Sequence, residues 1–392
     1  MYKGAITMNH PLPRGWQEKK ISDISEVTSS KRIYEKEYVK NGIPFYRGKE
    51  ITLLKNKEKI KELFYISEER YIELKNNYGV PKKNDILITA VGTIGNAYMI
   101  DDDKPFYFKD GNLIWLKNIK EYPKFLEFLF EYNQNKILEI SMGSSQKALT
   151  IIKLENLSFY FPPLDEQKRI AEVLSLCDKL IENLTKLIEK KEIYKKGVMQ
   201  RVLTGKVRFN GFKDEWREIN LRDIVEEYSI PNTNKLKQYT IGKNGIKELD
   251  DFRHSIDKHK VFKKNDLIVG IGIDEINVNI NLDYGCCSPV YRVYSINTNL
   301  LNPKFGYFYI RKAIDRIKNK ITRKSTRREF EFDHKEFIKY SILLPSLEEQ
   351  NKIAELLTLI DKDIEILKQL LHLRKLQKKG VMQKLLTGEV RI

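Results

Sequence analysis

Apolar residues recur along two stretches of this chain with the period of a helix. Ile170, Leu174, Cys177, Ile181, Leu184 and Ile188 follow one another at alternating steps of four and three, and Ile353, Leu357, Ile360, Ile364, Leu367 and Leu371 repeat those steps. Such spacing keeps one stripe of a helix apolar, the seam of a coiled coil. A second stripe lies beside each seam: Val173, Leu176, Leu180 and Leu187 on the first, Leu356, Leu359, Ile366, Leu370 and Leu373 on the second. That is wider than a two-stranded seam requires, so each helix faces something besides its partner. Asp165-Glu166 and Glu348-Glu349 head the two stretches, where carboxylates suit the positive end of the dipole, and Lys190, Lys191, Lys195, Lys196, Lys378 and Lys379 lie toward the other end. From Asp165 the first helix runs roughly 40 residues, or ~60 Å if unbroken. Gly197 and Gly380 fall inside the two helices at about 1 kcal/mol each, which predicts a close backbone approach at both.

These helices are two copies of one segment. P-L-D-E-Q-K-R-I-A-E-V-L (Pro163–Leu174) returns as S-L-E-E-Q-N-K-I-A-E-L-L (Ser346–Leu357), and K-K-G-V-M-Q-R-V-L-T-G-K-V-R-F (Lys195–Phe209) returns as Lys378–Ile392. The offset holds at both ends, since Leu347 minus Leu164 and Lys378 minus Lys195 are both 183. A repeat of this length is one structural unit used twice. The chain therefore divides into a first variable domain (1–161), a spacer helix (162–209), a second variable domain (210–344) and a second spacer helix (345–392). The variable domains echo each other: Trp16 and Trp216 open similar nine-residue runs, and Lys83-Asn-Asp-Ile-Leu-Ile matches Lys264-Asn-Asp-Leu-Ile-Val. In the first, Ile86–Ala90, Ala97–Ile100 and Leu113–Leu116 read as strands, Ser67 as the cap of a short helix, and Pro123–Tyr132 as another helix. In the second, Asp266–Gly270 and Val290–Tyr294 read as strands and Pro303–Lys320 as a helix. The fold class is α+β: two similar domains separated by two long antiparallel coiled-coil helices, with a pseudo-two-fold internal repeat.

A chain of 392 residues suits two or more domains, and 41% hydrophobic content is enough to bury real cores. No apolar run approaches the ~20 residues of a membrane span, and the start lacks the apolar core of a signal peptide, which points to the cytoplasm. Cys286 and Cys287 are adjacent and Cys177 sits in a helical pattern, so neither a disulfide framework nor a Cys-x-x-Cys metal site is encoded. The formal net charge is +17, which speaks about partners rather than fold. A polyanion such as nucleic acid is the leading reading; a lysine-rich composition imposed by an AT-rich genome is the competing one. Two similar but unequal domains on a rigid spacer suit a bipartite site on DNA, whose half-sites lie a turn or two of duplex apart.

The order of variable block, L-x-E-Q-x-x-I-A-E-x-L helix closing on G-V-M-Q-x-L-L-T-G, second block and second such helix resembles the specificity subunit of type I restriction–modification enzymes. The resemblance covers essentially the whole chain, with Pro162–Leu164 and Leu344–Leu347 flanking the helices. It implies two target-recognition domains, each reading half of a split asymmetric DNA sequence, and helices that fix the gap and dock two methyltransferase subunits. Translocase–nuclease restriction subunits join the full complex. S-adenosylmethionine, ATP and Mg²⁺ are expected on those partners and no cofactor or metal in this chain. A type IIB-like recognition subunit and a non-catalytic coiled-coil scaffold for protein partners remain the alternatives.

The residues encode no active site of their own. There is no G-x-x-x-x-G-K-[ST] loop, and Phe161-Pro-Pro-Leu lacks the polar residue of an amino-methyltransferase motif. Val269–Asp274 reads as a strand-end turn. Asp165, Glu166 and Lys168 imitate a nuclease cluster, but the second copy has Asn351 in place of Lys168, so helix capping is the reading for both copies. His10, His254, His259, His334 and His372 show no metal spacing, and His254 and His259 read as surface residues. Candidate DNA contacts combine cations with hydroxyl and amide side chains on loops. In the first domain they are Lys31 and Arg32 beside Ser29 and Ser30, then Arg47, Lys49, Ser144, Ser145, Gln146 and Lys147. In the second they are Arg253, Arg323, Lys324, Ser325, Thr326, Arg327 and Arg328. A solvated surface charge is the competing reading for each.

Overall fold

The computed structural model describes residues 13–141, 148–233, 236–242, 245–249, 258–271, 276–280, 284–323 and 331–392. The chain forms two compact units, Met1–Asn183 with Leu371–Ile392, and Leu184–Leu370.

In the first unit a four-stranded antiparallel sheet runs in the order Glu26–Thr28, Leu113–Lys117, Ile86–Thr89, Ala97–Met99. Its two central strands are buried on both faces, so the two-residue period sorts their side chains between two cores. Ile86, Ile88, Ile114 and Leu116 pack with Phe125 and Leu129 of helix Pro123–Tyr132 and with Ile170 and Leu174. Leu87, Leu113 and Trp115 face the other way, against Ile51 and Phe108. A second four-stranded sheet carries Tyr38–Val39, Phe64–Ile66, Ile43–Tyr46 and Tyr107–Phe108.

The second unit repeats the central sheet strand for strand: Val225–Tyr228, Arg292–Ile296, Leu267–Ile271, Ile276–Ile280. Leu267 and Val269 join Tyr294, Phe305 and Leu357, while Ile268 and Val293 join Phe262 and Cys287. The turn into the central strand is also repeated. Asn84 (φ 74°) and Asn265 (φ 71°) take the left-handed conformation that asparagine tolerates best among residues with a Cβ. Asp85 then accepts the Lys82 amide (2.9 Å) and the Trp115 indole N–H (2.8 Å), and Asp266 accepts the Lys263 amide (2.5 Å) and the Tyr228 hydroxyl. Burial pushes both carboxyls up, partly offset by these donors. The outer sheets share three strands, Gln238–Gly242 pairing antiparallel with Gly245–Glu248 and parallel with Gly285–Cys287 as Ile43–Tyr46 does with Phe64–Ile66 and Tyr107–Phe108, and differ in the fourth. Lys260–Phe262 pairs with Gly285–Cys287, but the matching residues of the first domain are Val80-Pro81, and proline has no N–H for a ladder.

Each domain closes on itself before meeting a long helix. Its first strand pairs antiparallel with its last, Gln17–Lys20 with Ser158–Phe161 and Arg217–Asn220 with Ser341–Leu344. The long helices then span Leu164–Val202 and Leu347–Leu386. They run antiparallel, since Lys191 pairs with Asp363 (3.0 Å) while Lys195, further along, pairs with Asp361. In the first unit Lys378 lies between Glu131 (2.7 Å) and Asp178 (2.6 Å); burial alone would lower its ammonium, but the two carboxylates hold it above its ordinary value. All twelve seam positions are buried or half-buried. Helix Pro303–Ile317 is three residues shorter than its pattern predicts.

The structure corrects two details and extends a third. A Cβ at Gly197 or Gly380 would meet nothing within 4 Å, so no close approach explains these glycines. His259 is buried at 2% exposure, because its ring meets the Gln238 amide (2.6 Å) and its carbonyl accepts the Asn232 amide (2.9 Å). Glu166 and Glu349 stand in the first turns as the pattern reads, and they are also buried there, bound by Arg391 and Arg208.

Candidate nucleic-acid interface

In the first domain, the segment after strand Glu26–Thr28 is held by its serines. Ser29 donates to the Leu113 carbonyl (3.0 Å) and Ser30 to the Phe108 carbonyl (2.7 Å), while the Lys31 amide donates to the Tyr107 hydroxyl (2.8 Å). The serines are thereby committed to backbone, and the two cations project. Lys31 lies 4.7 Å from the centre of the exposed Tyr78 ring, a cation–π contact. Arg32 pairs with Asp110 (2.9 Å) yet keeps 66% of its side chain in water, so the pair is weak enough to exchange for a phosphate.

Arg47 and Lys49 lie two residues apart at the start of one helix, and differ in what they touch. Arg47 precedes helix Gly48–Lys55, stacks on Phe64 (4.4 Å) and sends Nη2 and Nε to Glu50 at 2.8 and 3.1 Å. Burial alone would raise the Glu50 carboxyl, but the Arg47 guanidinium and amide hold it below the usual carboxylate range. Lys49 is exposed. Beside it, Thr52 shares a hydrogen bond with Thr93 (3.0 Å) and accepts from the Asn96 amide (3.2 Å). Residues 91–95 flank this group with Val91 exposed, and the Leu149 amide donates to the Ala90 carbonyl (2.9 Å). The structure thus joins Thr52 to Thr93, with Lys49 three residues before Thr52 on the same helix. Ser144, Ser145, Gln146 and Lys147 lie outside the described residues.

In the second domain, Arg323 belongs to the short strand Thr322–Arg323, paired with Glu331–Phe332. Lys324, Ser325, Thr326, Arg327 and Arg328 lie outside the described residues, as do Arg253 and His254. The described flank of that hairpin is anchored: Phe332 packs on Phe337 (5.3 Å), Phe337 on Tyr294 (5.6 Å), and the Tyr294 hydroxyl meets His334 Nδ1 (2.8 Å).

Sequence reasoning missed Thr52, Thr93 and Asn96, which no motif distinguishes from other loop residues. It also missed the glutamines at the helix heads. Gln167 accepts the Tyr122 amide (3.0 Å) and donates to Glu121 (2.6 Å) and the Pro162 carbonyl (2.9 Å). Gln350 repeats this with the Asn302 amide (2.8 Å) and the Leu300 and Pro345 carbonyls (both 3.0 Å). Their identity across the 183-residue offset was the available signal.

The family model described as the type I restriction modification DNA specificity domain matches residues 13–192 and again 213–373. The chain belongs to that family. This specificity subunit is 25% identical over 401 residues to the type I restriction enzyme MjaVIII specificity subunit of Methanocaldococcus jannaschii, with 89% of this chain and 91% of that one covered. It is 30% identical over 215 residues to the MjaIX specificity subunit of the same organism, which covers 52% of this chain and 46% of that protein. In fold it is similar to the crystal structure of a type I restriction–modification S subunit from M. genitalium, with TM-score 0.60, 17% identity, and 97% and 98% of the two chains covered. Its place in a type I restriction–modification system is DNA sequence recognition. No helix among the described residues is long and apolar enough to cross a membrane.

Proposed function

We propose that this subunit reads a split, asymmetric DNA sequence, one half-site per recognition domain, while its paired helices set the unread gap. The carrying observation is a shared central sheet with dissimilar surroundings. The central four-strand order is the same in both domains, but the fourth strand of the outer sheet is added at opposite edges, Tyr38–Val39 in the first and Lys260–Phe262 in the second, as expected of one scaffold presenting two different reading surfaces. The net charge of +17 supplies the sequence-independent attraction to phosphates. Lys31, Arg32 and Lys49 with Thr52 and Thr93 are the first domain's contacts, joined by Ser144, Ser145, Gln146 and Lys147. The basic run from Arg323 to Arg328 and Arg253 serve the second. Arg47 positions the helix behind Lys49.

The helices dock two methyltransferase subunits, and restriction subunits join through that assembly. The support is a duplicated apolar face: Leu176 and Leu359, 183 residues apart, are both more than half exposed, as are Ile193 and Leu376 at the same offset. Equivalent exposed pairs suit two copies of one partner. The chain itself is non-catalytic and cytoplasmic in this reading. S-adenosylmethionine, ATP and Mg²⁺ reside on the partners, in keeping with the lack of a phosphate-loop motif in the sequence.

Purified with its methyltransferase partner, the chain should direct methylation to one split sequence with unequal halves. Methylation mapped to a continuous palindrome refutes the reading.

A further inference from the structure

The long helices meet the recognition domains at two junctions built alike. In the second unit the chain leaves the first long helix through Gly205, whose φ of 68° is left-handed. The Val207 amide then bonds back to the Arg201 carbonyl (3.3 Å), and a Cβ at Gly205 would lie 3.5 Å from the Trp216 ring. Arg208 next reaches two places at once. Its Nη2 and Nε donate to Glu349 at 2.7 and 2.9 Å, and its Nη1 to the Asp214 carbonyl at 2.8 Å. Glu349 heads the second long helix and follows the domain's last strand, while Asp214 leads into its first strand. One guanidinium therefore ties the end of one long helix, the start of the domain and the head of the other helix.

The first unit repeats the glycine, the tryptophan and the arginine pair. Gly388 has φ 71°, the Val390 amide bonds to the Lys384 carbonyl (3.1 Å), and a Cβ at Gly388 would lie 2.5 Å from Pro13 and 3.4 Å from Trp16. Arg391 donates to Glu166 at 2.7 and 3.1 Å and to the Arg14 carbonyl at 3.0 Å. Both carboxylates are hidden, with 0% of the Glu349 and 4% of the Glu166 side chain exposed.

Apolar seams are non-directional and tolerate small shifts. A two-pronged guanidinium–carboxylate pair admits essentially one orientation. We propose that Arg208 and Arg391 are positioning residues that fix how each recognition domain is set on the helices of its own unit, and so hold the unread gap to one length. The proposal deepens the split-site reading and rests on it.

The test uses the full complex with its methyltransferase subunits and a library of sites carrying both half-sites at gaps varied one base pair at a time. The wild type should favour a single gap. R391Q and R208Q should methylate gaps one base pair longer or shorter about tenfold more, the scale of one charge-assisted hydrogen bond, with the bases of both half-sites unchanged. The double variants E166Q/R391Q and E349Q/R208Q remove the stranded buried charge, so melting should recover while the gap stays loose. Where R391Q or R208Q fails to fold, R391K and R208K keep the charge, lose the fork, and should loosen the gap in the same direction. Unchanged gap selection in the single and double variants overturns the proposal alone, and so does recovery of both melting and gap in the double variants. A wild-type complex that methylates a continuous sequence overturns the split-site reading and this proposal with it.

Discussion

Leu174 and Leu176 lie two residues apart on the first long helix and should behave oppositely when truncated. Leu174 has 0% of its surface exposed and sits in the first domain's core, whereas Leu176 leaves 60% in water. Leu174→Ala opens a cavity and should cost about 3–5 kcal/mol of unfolding free energy. Leu176→Ala touches little in the isolated chain and should shift stability by less than about 0.5 kcal/mol. On the docked partner, though, the exposed share of a leucine worth about 1.5–3 kcal/mol on full burial amounts to roughly 1–2 kcal/mol. That corresponds to about five- to thirtyfold weaker binding of one methyltransferase copy. Leu359, 54% exposed and 183 residues on, should do the same for the other copy. Native mass spectrometry counts the copies bound, and a titration of methyltransferase against each variant supplies the affinities. L176A and L359A should each weaken one of two binding steps, and L176A/L359A both. Two copies bound to the double variant with wild-type affinity refute the docking face, and loss of both copies from L176A alone refutes the assignment of one face per copy.

Inserting one heptad into each long helix adds about 10 Å, so the unread gap should lengthen by roughly three base pairs with the half-sites unchanged; altered half-site bases in the methylation map contradict the spacer reading. Arg47→Gln should destabilise the first domain by about 2 kcal/mol at neutral pH, less than a fully buried pair because a third of the Arg47 side chain is exposed, as read by chemical denaturation. The Glu50 carboxyl is depressed in the fold, so its contribution is present above its unfolded value and disappears as pH falls through the folded one; R47Q should flatten that acid loss, and an unchanged acid profile argues against the pair. Burial pushes the Cys287 thiol up to about 12 and also raises Cys286, so alkylation at neutral pH should label the half-buried Cys177 first and reach the other two only on unfolding.

Periodicity and internal duplication alone determined the large plan of this protein. A seam repeated every seven residues can be satisfied only by a helix with a partner, and identical spacing 183 residues apart requires two of them. The matched runs Lys83-Asn-Asp-Ile-Leu-Ile and Lys264-Asn-Asp-Leu-Ile-Val were legible as an echo between the domains, as was helix Pro123–Tyr132 with proline at its start. Tertiary structure decided the rest, because it depends on which distant groups meet. Glu166 and Glu349 look like ordinary first-turn carboxylates until Arg391 and Arg208 arrive from 225 and 141 residues away. Arg47 looks like a solvated cation until Glu50 and Phe64 engage it, and His259 looks exposed until Gln238 covers it. Local pattern states what a segment needs to bury, and only the folded chain supplies the group that buries it.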